Sequence, residues 1–145
     1  MRGKFFWFPV LLAGLLLGSC RTGKALPEAD RGPQLLFGQG GGFTGAVTAF
    51  VLLPDGRLFR RGADESDTYL LTLDRTLARQ LFAHFRRVGF DQIRFNEPGN
   101  LYRFIEWYDQ GQMRNRLVWG AEGVDPPEGL AAFHHLLMQS TKPRS

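Results

Sequence analysis

Apolar and polar positions alternate along this chain in two rhythms, one of period two and one close to 3.6. Thr44–Leu53 and Arg57–Arg61 read as strands joined by Pro54-Asp55-Gly56. Proline pre-sets φ at the first turn position, Asp suits the second, and Gly takes the left-handed third position that closes a three-residue loop with a bulge. Thr68–Leu73 reads as a third strand. The rhythm then changes. Leu77, Leu81, Phe85 and Val88 recur at helical spacing, with Phe82 widening the stripe, which predicts a helix from Asp74 to Val88. Gly89 stops it and places Phe90 to touch Phe85, as in a Schellman cap.

After the turn cluster Asn96–Asn100, a second hairpin is predicted from Tyr102–Tyr108 and Gln112–Trp119, with Asp109-Gln110-Gly111 as its loop. A last helix follows Asp125-Pro126-Pro127-Glu128, with Asp125 as N-cap and Glu128 completing a capping-box-like arrangement. Its stripe is Leu130, Phe133 and Leu137, ending near Gln139. The order βββ-α-ββ-α implies one small α+β domain: a mostly antiparallel sheet of about five strands, with the helices on one face.

A three-residue loop in the second hairpin would pair Tyr108 with Gln112, Glu106 with Arg114, Phe104 with Arg116 and Tyr102 with Val118. Alternation then gathers Tyr102, Phe104, Glu106, Tyr108, Arg114 and Arg116 on one face. Leu101, Ile105, Trp107, Met113, Leu117 and Trp119 take the other, interrupted by Arg103 and Asn115, and read as core. The first face interleaves aromatic rings with arginines and a carboxylate, a composition enriched where proteins meet partners. Its alternative is an ordinary solvent-facing sheet surface with a Glu106–Arg114 ion pair.

The N-terminus carries a different message. Arg2 and Lys4 precede an apolar stretch, Phe5–Leu17, that is shorter than the roughly 20 residues of a membrane span and fits a secretory signal. It ends in Leu17-Gly18-Ser19-Cys20, which resembles the lipobox of bacterial lipoprotein precursors. In that family the cysteine is lipidated on sulfur, becomes the new N-terminus after cleavage, and is usually acylated on its amine. The resemblance implies a signal peptide over residues 1–19, acyl chains (palmitate among them) on Cys20, and a protein tethered to a membrane through lipid alone. Cys20 is the only cysteine of the 145 residues, so no internal disulfide is available. Lipoproteins of this kind often carry Asp after the cysteine when retained at the inner membrane. Arg21 stands there instead, which points to the outer membrane.

Residues 20–34 are polar and rich in Gly, Pro and charge, and read as a flexible tether ahead of a domain over residues 35–140, with 141–145 as a tail. The formal charge of +4 includes Arg2 and Lys4 of the signal. The remaining excess is too small, and the compartment wrong, for a nucleic-acid partner.

The stretch 38-GQGGGFTGAV-47 raises the question of a phosphate cradle. Such a loop follows a strand and opens a helix. Here the glycines precede a predicted strand, and no Gly-Lys-Ser/Thr occurs. They are read instead as positions where the backbone approaches closely or bends as it joins the sheet. The run 37-FGQGGGFTG-45 resembles the opening of a set of small, uncharacterised bacterial lipoproteins. PGNLYRFIEW and RLVWG extend the likeness toward the C-terminal helix, and it implies no activity.

Little else carries chemistry. Of three histidines, His84 falls beside the helix stripe, and the adjacent His134 and His135 point about 100° apart and cannot share a metal. No Cys, His, Asp or Glu set has ligand spacing, so neither a metal nor another cofactor is expected. Ser66 and Ser140 sit in no nucleophile elbow. Asp64, Glu65 and Asp67 read as a solvated turn, and the arginines of the first helix as a solvated face. The reading with most support is a non-enzymatic envelope module binding a protein, peptide or glycan through the aromatic face. A small hydrolase using Glu106 or His84, and a passive structural lipoprotein, are the alternatives.

Overall fold

The computed structural model describes residues 32–143. The signal segment, Cys20 and most of the tether lie outside them. The described chain is an α+β domain of one mostly antiparallel sheet and two helices. Its elements are β1 Gln34–Gly41, β2 Val47–Leu52, β3 Arg57–Arg61, β4 Asp67–Thr72, α1 Arg75–Arg87, β5 Phe95–Glu97, β6 Leu101–Asp109, β7 Gln112–Trp119 and α2 Leu130–Ser140. The sheet has seven strands in the order β4-β3-β2-β1-β6-β7-β5, parallel only between β5 and β7.

Two strands beyond the expected five account for the difference. β1 is the glycine run itself together with the residues before it, and it occupies the middle of the sheet between β2 and β6. Leu35 and Phe37 face the helices while Leu36 faces away, and all three are buried. A strand buried on both sides shows no alternation, which is why the period-two rhythm does not mark it. β5 has three residues, too few to show any rhythm. β2 begins at Val47 rather than Thr44, because Gly42, Phe43, Thr44 and Gly45 form a turn closed by Gly45 N–H donating to Gly42 O at 3.1 Å.

Both helices pack on one face of the sheet. Leu81, Phe82 and Phe85 of α1 and Leu130, Phe133 and Leu137 of α2 meet Leu35, Phe37, Phe50, Leu52, Ile105, Trp107, Leu117 and Trp119. Phe85 is the centre, with its ring stacked on Trp107 at 5.7 Å and close to Phe90 and Phe133 at 5.9 and 6.0 Å. Asp74 caps α1, accepting from the backbone N–H groups of Thr76 and Leu77. At the other end Phe90 N–H donates to Phe85 O and Gly89 N–H to Arg86 O, the two bonds of a Schellman motif, with Gly89 at φ 82°.

The start of α2 differs from the expectation. The helix opens at Leu130 with Gly129 (φ 79°) as N-cap, and no side chain caps it. Asp125 therefore does not act as N-cap. Pro127 instead belongs to the turn before the helix, where its carbonyl accepts from Leu130 N–H at 3.0 Å.

The second hairpin also differs, and its register decides which side chains share a face. Gln110 (φ 53°) and Gly111 (φ 72°) form a two-residue loop, with Asp109 opposite Gln112. Paired left-handed residues match the twist of the flanking strands better than the predicted three-residue loop. A bulge between Trp107 and Tyr108 then shifts the register, so Glu106 meets Arg116, Phe104 meets Val118 and Tyr108 meets Met113. Arg114 has no partner across the ladder and lies exposed, its guanidinium bonded to Gln110 Oε1 at 3.2 Å.

Candidate functional site

The face of the sheet turned away from the helices holds a second buried cluster. Leu36, Ala49, Val51, Leu53, Phe59, Phe104 and Val118 form it, with Tyr69, Tyr102 and Tyr108 packed against them and no helical residue among the members. Phe104 is thus floor, only 5% exposed, rather than the open ring that strand alternation alone suggests. Tyr102 and Tyr108 are half-buried.

Glycine makes this floor possible. A Cβ on Gly38 would lie 3.0 Å from Phe104 Cζ and 2.0 Å from Thr48 O. One on Gly40 would lie 2.7 Å from the Tyr102 hydroxyl. The two rings of β6 therefore lie down over β1 where it has no side chains. The glycine run works as close approach, as its composition suggests, but inside the central strand rather than ahead of it.

Polar groups converge at the rim. Glu106 is 9% exposed, and both its oxygens are engaged: Oε1 with Arg116 Nε at 3.0 Å, and Oε2 accepting from the Tyr108 hydroxyl at 3.0 Å. A carboxylate this deep needs such partners, because an unpaired one would protonate or destabilise the fold. Burial, with help from the Glu106 charge and hydrogen bond, pushes the Tyr108 phenol up from its ordinary value, while Arg61 and Arg116 pull the other way.

Arg61 stands on β3, separated from β6 by β2 and β1, yet it lies within electrostatic reach of Tyr108. Arg61 also makes a two-pronged contact with Asp67 at 2.9 Å on each side, and that bond holds the guanidinium above its already high ordinary value despite burial.

This arrangement redistributes the residues singled out in the sequence. Tyr102, Phe104, Glu106, Tyr108 and Arg116 share the face, whereas Arg114 stands apart at the bulge. Arg61 and Asp67 join them unannounced. Asp67 leaves the supposed acidic turn, where Asp64 Oδ1 instead accepts from the Ser66 hydroxyl and N–H at 2.6 and 3.1 Å. Their places directly opposite one another on β3 and β4 would have revealed the pair, had the register been known.

Glu106 and His84 lie on opposite sides of the sheet, since His84 packs its ring on Phe133 of α2 at 5.3 Å. His135 bonds Gln139 at 2.9 Å, and His134 is buried, donating from Nε2 to Gly38 O at 2.8 Å. Among the described residues no three His, Cys, Asp or Glu side chains come together to hold a metal ion. No helix among them is long and apolar enough to cross a membrane. No protein-family model and no curated protein matches the chain.

Proposed function

We propose that this chain is a lipid-anchored protein of the cell envelope that acts as a non-enzymatic binding module, taking a protein, peptide or glycan on the helix-free face of its sheet. Acyl chains on Cys20 tether it, with the outer membrane favoured by Arg21. The observation that carries the binding reading is the joined network of Glu106, Tyr108 and Arg116, with the Arg61–Asp67 pair on the far strands of the same sheet. Fixed donors and acceptors with half-buried aromatic rings form the kind of surface that orients a polar chain without reacting with it.

The test has two arms. Wild-type protein isolated from a bacterial envelope should carry acyl chains on Cys20 by mass spectrometry, and Cys20→Ala should accumulate as unprocessed precursor. Normal processing of that variant, with no lipid on the wild type, refutes the anchoring. In the second arm, Glu106→Gln with Arg116→Ala removes the ion pair as a unit and leaves the Tyr108 hydroxyl an acceptor at position 106, so it should keep the thermal midpoint within a few degrees and lose capture of the envelope component held by the wild type. Unaltered capture by a folded double variant disposes of the face.

A further inference from the structure

The helix side of the domain has an opening of its own, unrelated to the sheet face. α1 and α2 run antiparallel, with ring contacts only where Phe133 meets His84 at 5.3 Å and Phe85 at 6.0 Å. Beside that contact lies a cavity of about 670 Å³ walled by Leu77, Leu81, Ala132, Phe133 and Leu136. A second cavity of about 670 Å³ continues toward β4, between Leu71, Leu73, Leu77 and Leu136. Leu77 and Leu136 line both, so the two hollows adjoin, and the one between the helices is the trough. Leu136 is left 47% exposed and Leu70, at the far rim, 38%. Each hollow is within the range of about 300–1,000 Å³ typical of small-ligand sites.

Charge around the trough is one-sided. Of the four arginines of α1 only Arg87 lines it, and α1 carries no acidic residue. Arg87 lies at one end, its guanidinium beside His84 Nδ1 at 3.3 Å, and Lys142 lines the adjoining hollow. Asp74 is the one carboxylate lining either hollow, and its side chain is already committed to the α1 N-terminus. An apolar channel that ends in a guanidinium matches a molecule with one apolar tail and one anionic head.

We propose that the trough binds a single long-chain fatty acid, its tail along Leu77, Leu81, Phe133 and Leu136 and its carboxylate on Arg87. The planar guanidinium takes a carboxylate by two parallel N–H···O bonds, which explains a preference for carboxylate over an uncharged head.

The test uses the full chain, palmitate as ligand, and displacement of a fluorescent fatty acid as readout. Leu136→Glu, and Ala132→Glu at a second exposed wall position, should each weaken palmitate at least about tenfold, with an unchanged circular dichroism spectrum. Arg87→Glu should weaken palmitate to a similar degree while leaving hexadecanol unaffected. Equal palmitate affinity in wild type and both wall variants overturns the proposal. So does Leu136-dependent sedimentation with anionic vesicles in the absence of palmitate displacement, which would assign the trough to a membrane surface.

Discussion

The imidazole of His134 donates from Nε2 to the carbonyl oxygen of Gly38 at 2.8 Å, joining α2 to the central strand across 96 positions of sequence. The edge of the same ring meets Trp119 at 5.2 Å and 87°. Burial, reinforced by the nearby positive charges of Arg103 and His135, holds its pKa below the ordinary histidine value, although the Gly38 bond works against the shift. The folded state therefore prefers the neutral ring, and the unfolded chain takes up the proton first. This contribution to stability is complete above about pH 6.5 and is lost as the pH falls below it. Unfolding midpoints measured from pH 7.5 to 5 should drop more steeply for the wild type than for His134→Gln. Parallel slopes would contradict the assignment.

Gly38 and Gly40 should not be equally replaceable. At Gly38 a Cβ meets the Thr48 carbonyl at 2.0 Å, which is backbone and cannot step aside. At Gly40 it meets only side-chain atoms, the end of the half-buried Tyr102 ring and Val47 Cγ2, which can shift where a backbone carbonyl cannot. Gly38→Ala should cost about 3 kcal/mol or more, and Gly40→Ala about 1 kcal/mol. Chemical denaturation of the two variants gives the comparison directly.

Phe85 is fully buried among Trp107, Phe90 and Phe133. Phe85→Ala should destabilise by about 3–5 kcal/mol, a large share of a small domain's stability. An unchanged denaturation midpoint would place the ring outside the core.

Asn115 is the one side chain on β7 that breaks the apolar row facing the helices, and the fold uses it. Its amide donates to Phe90 O at 2.7 Å and to Ile93 O at 2.8 Å, while its Oδ1 accepts from Arg94. Asn115→Leu leaves those carbonyls unpaired and should cost about 1–3 kcal/mol. Amide hydrogen exchange should rise first between Phe90 and Arg94.

Local chemistry was the part of this fold most legible in the sequence. Asp74 and Gly89–Phe90 declare the ends of α1, and Pro54-Asp55-Gly56 declares its turn, because each is a bond between residues a few positions apart. Of the residues read as core, Ile105, Trp107, Leu117 and Trp119 of the second hairpin and Leu81, Phe85, Phe133 and Leu137 of the helix stripes are buried between sheet and helices, whereas Leu101 and Met113, at the ends of their strands, are exposed. What the sequence concealed depends on partners far along the chain. β1 looks like a glycine linker until Phe104 and Tyr102 are known to lie on it. The two-residue loop and the bulge near Tyr108 each slip the register by one residue, together moving Arg116 opposite Glu106 and setting Arg114 aside, and no local preference reports such slips. The Arg61–Asp67 pair stayed hidden for the same reason.

The place of β1 also divides the sheet into a half paired locally and a half paired across the chain. β1 to β4 form a meander in which every pairing joins neighbours in the sequence, so half of the sheet can form as soon as those strands exist. The other edge of β1 must wait for β6, which pairs Gln34 with Tyr108 across most of the domain. Until then the backbone from Leu35 to Gly41 stands open on that edge, apolar at one end and bare glycine at the other. Whenever the meander pairs ahead of β6, the chain exposes a strand that the finished fold buries at its centre, an open edge on which another copy can pair.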